Sequence, residues 1–104
     1  MGRFSCDEFA IREGRGCLFR PKRITKSSIR SIAVGSRGRV TFDETVLVIS
    51  DGFQRMQIGE LEPDFEQVAS FVDALGAAPR WRDIFVTMHP DLEPIEIFSR
   101  RPGA

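Results

Sequence analysis

The stretch TVLVIS at residues 45–50 constrains the fold more than any other part of the chain. Its aliphatic side chains run almost without interruption, which is typical of a strand with apolar neighbours on both faces. Asp51-Gly52 follows, a dipeptide favoured in two-residue type I′ turns, and FQRMQI then alternates between apolar and polar side chains. The pattern predicts a β-hairpin over residues 45–58, with its first strand central in a sheet.

An amphipathic helix is predicted directly after this hairpin. Apolar side chains recur there at helical spacing and form one stripe: Phe65, Val68, Ala69, Phe71, Val72 and Leu75. Asp64 and Gln67 have the spacing of a capping box, and Gly76 is placed to end the helix. The sequence therefore predicts a helix at about 65–75 that packs its stripe on the sheet.

The N-terminal third predicts further strands. FSCDEFAIRE and CLFRPKRI, residues 4–13 and 17–24, are expected to reverse at Gly14-Arg15-Gly16, a register that sets Cys17 opposite Glu13. A turn at Ser27 and Ser28 should follow. We then expect a strand near 31–34 and a loop at 35–38.

The C-terminal region has two interpretations. IFV, near residues 84–88, is compatible with a short strand or with the wall of a turn. IEIF, at 95–98, is compatible with a last strand at a sheet edge, or with an apolar segment that contacts a partner or a second copy.

The length of 104 residues suits a single domain with one core. We expect one domain over 1–104, with its core in 4–88 and a loop with an extra strand or tail in 89–104. No run approaches the eighteen apolar residues of a membrane-spanning helix, and acids stand where a signal peptide needs apolar residues. The predicted location is cytoplasmic.

The net charge of zero conceals a division along the chain. Residues 1–39 carry a net charge of +7 and residues 40–104 a net charge of −7. CLFRPKRITKSSIR, residues 17–30, contains five cations and no carboxylate. Clustered cations attract phosphates. The predicted anion-binding or partner-binding residues are Arg12, Arg15, Arg20, Lys22, Arg23 and Lys26. Alternatively, these side chains form the solvent-exposed face of a strand and pair with the acids of residues 40–104.

No constellation typical of an enzyme is present. His89 is the single histidine, and Cys6 and Cys17 are too few for a disulfide framework and too far apart for a metal knuckle. The short glycine loops lack the lysine of a phosphate-binding loop. The sequence therefore predicts a protein without catalytic residues, metal or cofactor.

The order of these elements resembles the pleckstrin-homology-like (PH-like) domains of bacteria. The similar stretches are FAIREGRGCLFRPKRITKSSIRSIAVG, ETVLVISDGFQRMQI and DFEQVASFVDALG, within residues 9–76. The resemblance implies an α+β fold, a strongly bent antiparallel sheet or partial barrel of five to seven strands with one helix. Such domains generally have seven strands before the helix, whereas this sequence predicts five or six.

The resemblance also implies a non-catalytic binding or adaptor module. Members that bind phosphoinositides carry basic residues on the first two strands and their loop, which match Arg12, Arg15, Arg20 and Lys22 here. A protein partner or an anionic lipid is the expected ligand, and weak aromatic interleaving disfavours nucleic acid. One rival interpretation is a homo-oligomer that associates through residues 84–98, and a second is an enzyme whose site has no recognisable sequence signature.

Overall fold

The computed structural model describes residues 4–14, 22–38 and 43–100, and these form an α+β fold of two antiparallel sheets and two helices. The strands are β1 (Phe4–Cys6), β2 (Ala10–Glu13), β3 (Lys22–Thr25), β4 (Ser31–Gly38), β5 (Asp43–Ser50), β6 (Arg55–Gly59) and β7 (Ile95–Ser99). The helices are α1 (Phe65–Leu75) and α2 (Trp81–Val86).

The strands form a three-stranded sheet of order β1-β2-β3 and a four-stranded sheet of order β6-β5-β4-β7. A 3-10 turn, Lys26–Ser28, separates β3 from β4, and Ile29 is buried at this corner. No ladder joins the two sheets within the described residues, so they do not close into a barrel. The expected single bent sheet is therefore corrected to two sheets.

Both sheets and both helices contribute to one apolar core. The residues at its centre are fully or almost fully buried: Ile11, Ile24, Ile32, Leu47, Ile49, Met56, Ile58, Val68, Val72, Trp81 and Ile97. The predicted hairpin is confirmed, because β5 pairs with β4 on one side and β6 on the other. β5, the first strand of the hairpin, lies between two other strands, which explains why its side chains are apolar on both faces.

The predicted helix is confirmed as α1, and Gly76 ends it with a left-handed φ of 89°. The predicted capping box does not form, because the Asp64 side chain makes no capping hydrogen bond. The Asp64 carboxylate instead accepts a hydrogen bond from the Phe4 N–H at 2.9 Å, and Gln67 Oε1 accepts one from the Cys6 N–H at 3.1 Å. These side chains therefore tie the edge of β1 to the helix.

Three local expectations differ from the structure. Residues 35–38 continue β4 and do not form a loop, because they pair with residues 43–46 of β5. The segment near 84–88 belongs largely to α2, since Trp81 and Phe85 are one helical turn apart and both face the core. In the first hairpin Glu13 lies opposite Lys22, so the predicted register is wrong; Cys17 is outside the described residues.

The last strand, β7, pairs with a strand of the same chain and not with a second copy. β7 pairs with β4 in an antiparallel ladder that contains an irregularity at Ile32/Ala33. Ile97 of this strand is buried, whereas Ile95 is partly exposed. The sheet-edge interpretation of 95–98 is therefore confirmed, and association of two copies through 84–98 stays a prediction.

Candidate functional site

The loop between β5 and β6 has four residues, Asp51–Gln54, and not the two of a type I′ turn. Asp51 keeps a negative φ, while Gly52 has a φ of 94°. Asp51 Oδ1 accepts hydrogen bonds from the N–H groups of Phe53 at 2.8 Å and Gln54 at 2.6 Å. The hydrogen bond from Gln54 is the largest cause of the lowered pKa of Asp51. This carboxylate therefore fixes the loop.

The longer loop places Phe53 in solvent. Its side chain stands outside the alternation that buries Met56 and Ile58, and Phe53 is 93% exposed. A single exposed apolar residue is ordinary by itself. The basic residues that border this loop distinguish Phe53 from other exposed apolar residues.

The basic segment 22–30 contacts this hairpin at three points, through Arg55, Gln54 and Gly52. Lys22 Nζ donates to the carbonyl of Arg55 at 3.0 Å, and Gln54 Nε2 donates to the carbonyl of Arg23 at 3.3 Å. The Cδ of Arg30 lies 3.3 Å from the position that a Cβ would occupy on Gly52. We call Phe53, with Lys22, Arg23, Arg30 and Arg55, the hairpin-tip surface.

These four cations meet no carboxylate among the described residues. No ion pair shorter than 4 Å joins any of them to an Asp or Glu of residues 4–14, 22–38 and 43–100. Asp51, the acid of the loop itself, is bound to backbone N–H groups. The hairpin-tip surface therefore combines four cations with an exposed aromatic ring, and the adjacent Asp51 is held by its own loop.

Arg12 lies beside this surface. It is the cross-strand partner of Arg23, and both side chains lie on the face opposite to the buried Ile11 and Ile24. Like charges directly opposite in a sheet repel each other. Arg12, however, is paired with Asp7 at 2.7 Å.

The Asp7–Arg12 pair is well defined by hydrogen bonding. The hydrogen bond from Arg12 is the main reason that the pKa of Asp7 falls to about 2, and the N–H groups of Phe9 and Ala10 contribute further. The carboxylate is exposed, so solvent screens the pair. Arg12 therefore brings less uncompensated charge than Arg23.

The remaining predicted residues have different positions. Lys26 begins the 3-10 turn and lines a separate cavity of about 310 Å³, together with Cys6, Asp7 and Glu8. Arg15 and Arg20 lie outside the described residues. Of the six predicted residues, Lys22 and Arg23 thus belong to the hairpin-tip surface, with Arg12 adjacent.

The sequence did not predict Phe53 or Arg55 as site residues, and Arg30 belongs to the basic stretch 17–30 but is not one of the six predicted residues. One signal was available: an aromatic residue directly after Asp-Gly occupies a turn, where it has no core partner. The approach of Arg55 to β3 had no such signal, because it depends on how the two sheets meet.

Groups with catalytic potential are dispersed. His89 is exposed, and its Nδ1 accepts from the Asp91 N–H at 3.2 Å. Burial is the main reason that the pKa of the free Cys6 thiol rises to about 11. The described residues contain no group of three His, Cys, Asp or Glu side chains placed to hold a metal ion. The absence of catalysis stays a prediction.

Comparisons of the chain with protein-family models, with curated proteins and with solved structures gave no match. Within the described segments, no helix has the length and apolar character needed to cross a bilayer. The site is therefore interpreted from its own geometry.

Proposed function

We propose that this protein is a non-catalytic binding module that docks on anionic phospholipid surfaces through the hairpin-tip surface. The observation that carries the proposal is the placement of Phe53, 93% exposed, at the tip of a hairpin that contacts the basic segment 22–30. The cations would attract lipid phosphates, and the Phe53 ring would enter the interfacial region of the bilayer.

The approximate free energies of these interactions favour weak and reversible membrane binding. A basic residue near an anionic membrane contributes about 1 kcal/mol, so four contribute about 4 kcal/mol at low salt. Insertion of a Phe side chain adds about 1.5–3 kcal/mol if the ring is fully withdrawn from water. Part of this gain is offset by the loss of translational and rotational freedom. The protein should therefore respond strongly to lipid charge and to ionic strength.

The PH-like architecture is part of the same proposal. The described residues form seven strands in sheets of three and four, with an eleven-residue helix on the shared core, and this supports it. The position of α1 before the last strand departs from the expected element order. The membrane proposal rests on the hairpin-tip surface and does not depend on this relationship.

Nucleic acid is the competing ligand, because it also presents phosphates. Non-specific binding of single strands generally combines a basic groove with several stacking rings. Phe53 is the one aromatic residue of the hairpin-tip surface, whereas Phe9, which is 66% exposed, lies just before β2. A single ring at a loop tip favours membrane contact.

Vesicle sedimentation tests the proposal directly. The protein is mixed with phosphatidylcholine vesicles that contain or lack phosphatidylglycerol, at about 0.1 M and about 1 M salt, where the Debye length is about 10 Å and about 3 Å. We expect binding to the anionic vesicles at low salt, and much weaker binding at high salt or with neutral vesicles. Equal binding to both vesicle types, or none, would contradict the proposal.

Two variants separate membrane docking from simple attraction to phosphate. Phe53→Ser should weaken vesicle binding and leave the weaker affinity for a single-stranded oligonucleotide unchanged. Val86→Ser is the matched control, because Val86 is also highly exposed but lies on α2. An oligonucleotide affinity that exceeds the vesicle affinity and falls in Phe53→Ser would favour the nucleic-acid interpretation.

A further inference from the structure

A cavity of about 290 Å³ opens between the start of α1 and α2. Phe65, Trp81 and Phe85 contribute aromatic walls. The centroids of Phe65 and Phe85 are 4.9 Å apart, and the Trp81 ring meets Phe85 edge-on at 6.2 Å. Phe65 is partly exposed, whereas the other two rings are buried. Such rings attract organic cations through the negative potential of their faces.

Arg82 also lines the cavity, and two carboxylates neutralise its charge. Its Cζ lies 5.0 Å from the centroid of the Trp81 ring. Its guanidinium is paired with Asp73 at 3.1 Å and with Glu66 at 3.6 Å. The protein thus already holds one guanidinium between an aromatic ring and carboxylates at the edge of this cavity.

Glu60 supplies a third carboxylate, which has no ion-pair partner among the described residues. It lines the cavity and is exposed. No cationic side chain of the described residues lies within 4 Å of it. A cation that enters the cavity can therefore pair with Glu60 while its apolar stem contacts Phe65.

The surroundings of the opening favour a polypeptide over a small free cation. Leu61 follows Glu60 and is 65% exposed, and Val86 at the cavity wall is 79% exposed. Apolar residues that flank a cation in a partner chain would cover these two side chains. The volume lies near the lower end of ligand pockets, roughly 300 Å³, which suits one inserted side chain.

We propose that this cavity receives an arginine or lysine side chain from a partner polypeptide whose neighbouring residues are apolar. The cation pairs with Glu60, its methylene stem packs on Phe65, and the flanking residues contact Leu61 and Val86. This interaction is separate from membrane docking, because it uses none of the residues of the hairpin-tip surface.

Two peptides test the charge requirement. Acetylated and amidated Leu-Gly-Arg-Gly-Leu is titrated into the ¹⁵N-labelled protein, beside a counterpart in which citrulline replaces arginine. Trp81 is the single tryptophan, so its indole N–H gives one unambiguous NMR signal. We expect saturable shifts of this signal and of the Phe65 and Val86 amides, with affinity about tenfold weaker for the citrulline peptide. No saturable shift, or equal shifts with both peptides, would overturn the proposal.

A pair of near-isosteric variants locates the interaction. Glu60→Gln should weaken binding of the arginine peptide about fivefold to tenfold. Glu96→Gln, an exposed acid on β7 that does not line the cavity, should leave it unchanged. The ¹⁵N spectrum of each variant checks its fold. An equal loss in both variants would show that the peptide senses only overall charge, and would refute the cavity as the site.

Discussion

The Lys22 ammonium group donates to the carbonyl oxygen of Arg55 at 3.0 Å, and this bond joins strands of two different sheets. The two residues are 33 positions apart in the sequence. Because of this contact, a cationic strand and a separate hairpin meet at one surface. The described part of the basic stretch, residues 22–30, therefore borders the hairpin that carries Phe53.

The cations of this surface should contribute to membrane binding one by one. Arg23→Gln, Arg30→Gln and Arg55→Gln should each lower the affinity for anionic vesicles about fivefold, because each removes about 1 kcal/mol of attraction. Vesicle sedimentation at low salt measures this. Arg80→Gln is the control, since Arg80 is highly exposed but lies at the start of α2 and pairs with Asp83. A loss for Arg80→Gln as large as for the others would count against a localised surface.

Gly59 should not tolerate a side chain. A Cβ at this position would overlap the carboxylate of Glu44, which is buried, pairs with Arg37 at 2.7 Å and accepts from the Leu61 N–H at 3.3 Å. We expect Gly59→Ala to lower the free energy of unfolding by about 1–3 kcal/mol, as overpacking does elsewhere. Urea denaturation measures the change.

Gly35→Ala is the matched control for this effect. A Cβ on Gly35 would meet Pro94 at 3.7 Å, an ordinary contact. Its unfolding free energy should therefore change much less than that of Gly59→Ala. Equal losses in the two variants would contradict the packing described around Glu44.

The Asp7–Arg12 pair should have a measurable pH signature. The pKa of Asp7 is lowered from 3.8 to about 2, first by the hydrogen bond from Arg12. Folding thus favours the carboxylate, so its stabilising contribution is complete above pH 3.8 and is lost as the pH falls through about 2. In Arg12→Ala the pKa should rise towards 3.8 and remain below it, because Phe9 and Ala10 still donate.

NMR titration of the side-chain carboxyl carbons measures this shift. The pKa of Asp51 is lowered by bonds within its own loop, so it should not change in Arg12→Ala. An Asp7 pKa that is also unchanged would show that Arg12 does not hold the carboxylate.

Cys6 should react slowly with thiol reagents. Burial is the largest cause of its raised pKa of about 11, and the charges of Asp7 and Asp64 add to it. The thiolate is the reactive form, so little of it exists near neutral pH. In a Cys17→Ser background, the rate of alkylation by iodoacetamide should keep rising with pH up to about 11. A plateau near pH 9 would contradict the buried environment.

Local patterns were sufficient for part of the fold. The aliphatic run of β5 and the apolar stripe of α1 have clear periods, and both elements form where the sequence predicts them. α2 was missed because a six-residue helix with Trp81 and Phe85 as its buried pair is too short to show a period. The capping box failed because Asp64 and Gln67 bind β1, a contact that sequence spacing does not reveal.

The candidate site was predictable only in part. The sequence identified Lys22 and Arg23 through their local charge density. It could not identify Arg55, because the bond from Lys22 depends on the meeting of two sheets. The exposure of Phe53 follows from a loop two residues longer than Asp-Gly suggests, and Asp51 creates that length by binding two successive N–H groups.

The most direct test of the central claim is a paramagnetic NMR measurement in bicelles that contain anionic lipid and a small fraction of spin-labelled lipid. Proximity to the bilayer broadens amide signals, so the method reports which residues touch the membrane. We predict that Gly52, Phe53 and Gln54 broaden first, while Asp83 on α2 is unaffected. Broadening centred on α2, or none at low salt, would contradict docking through the hairpin-tip surface.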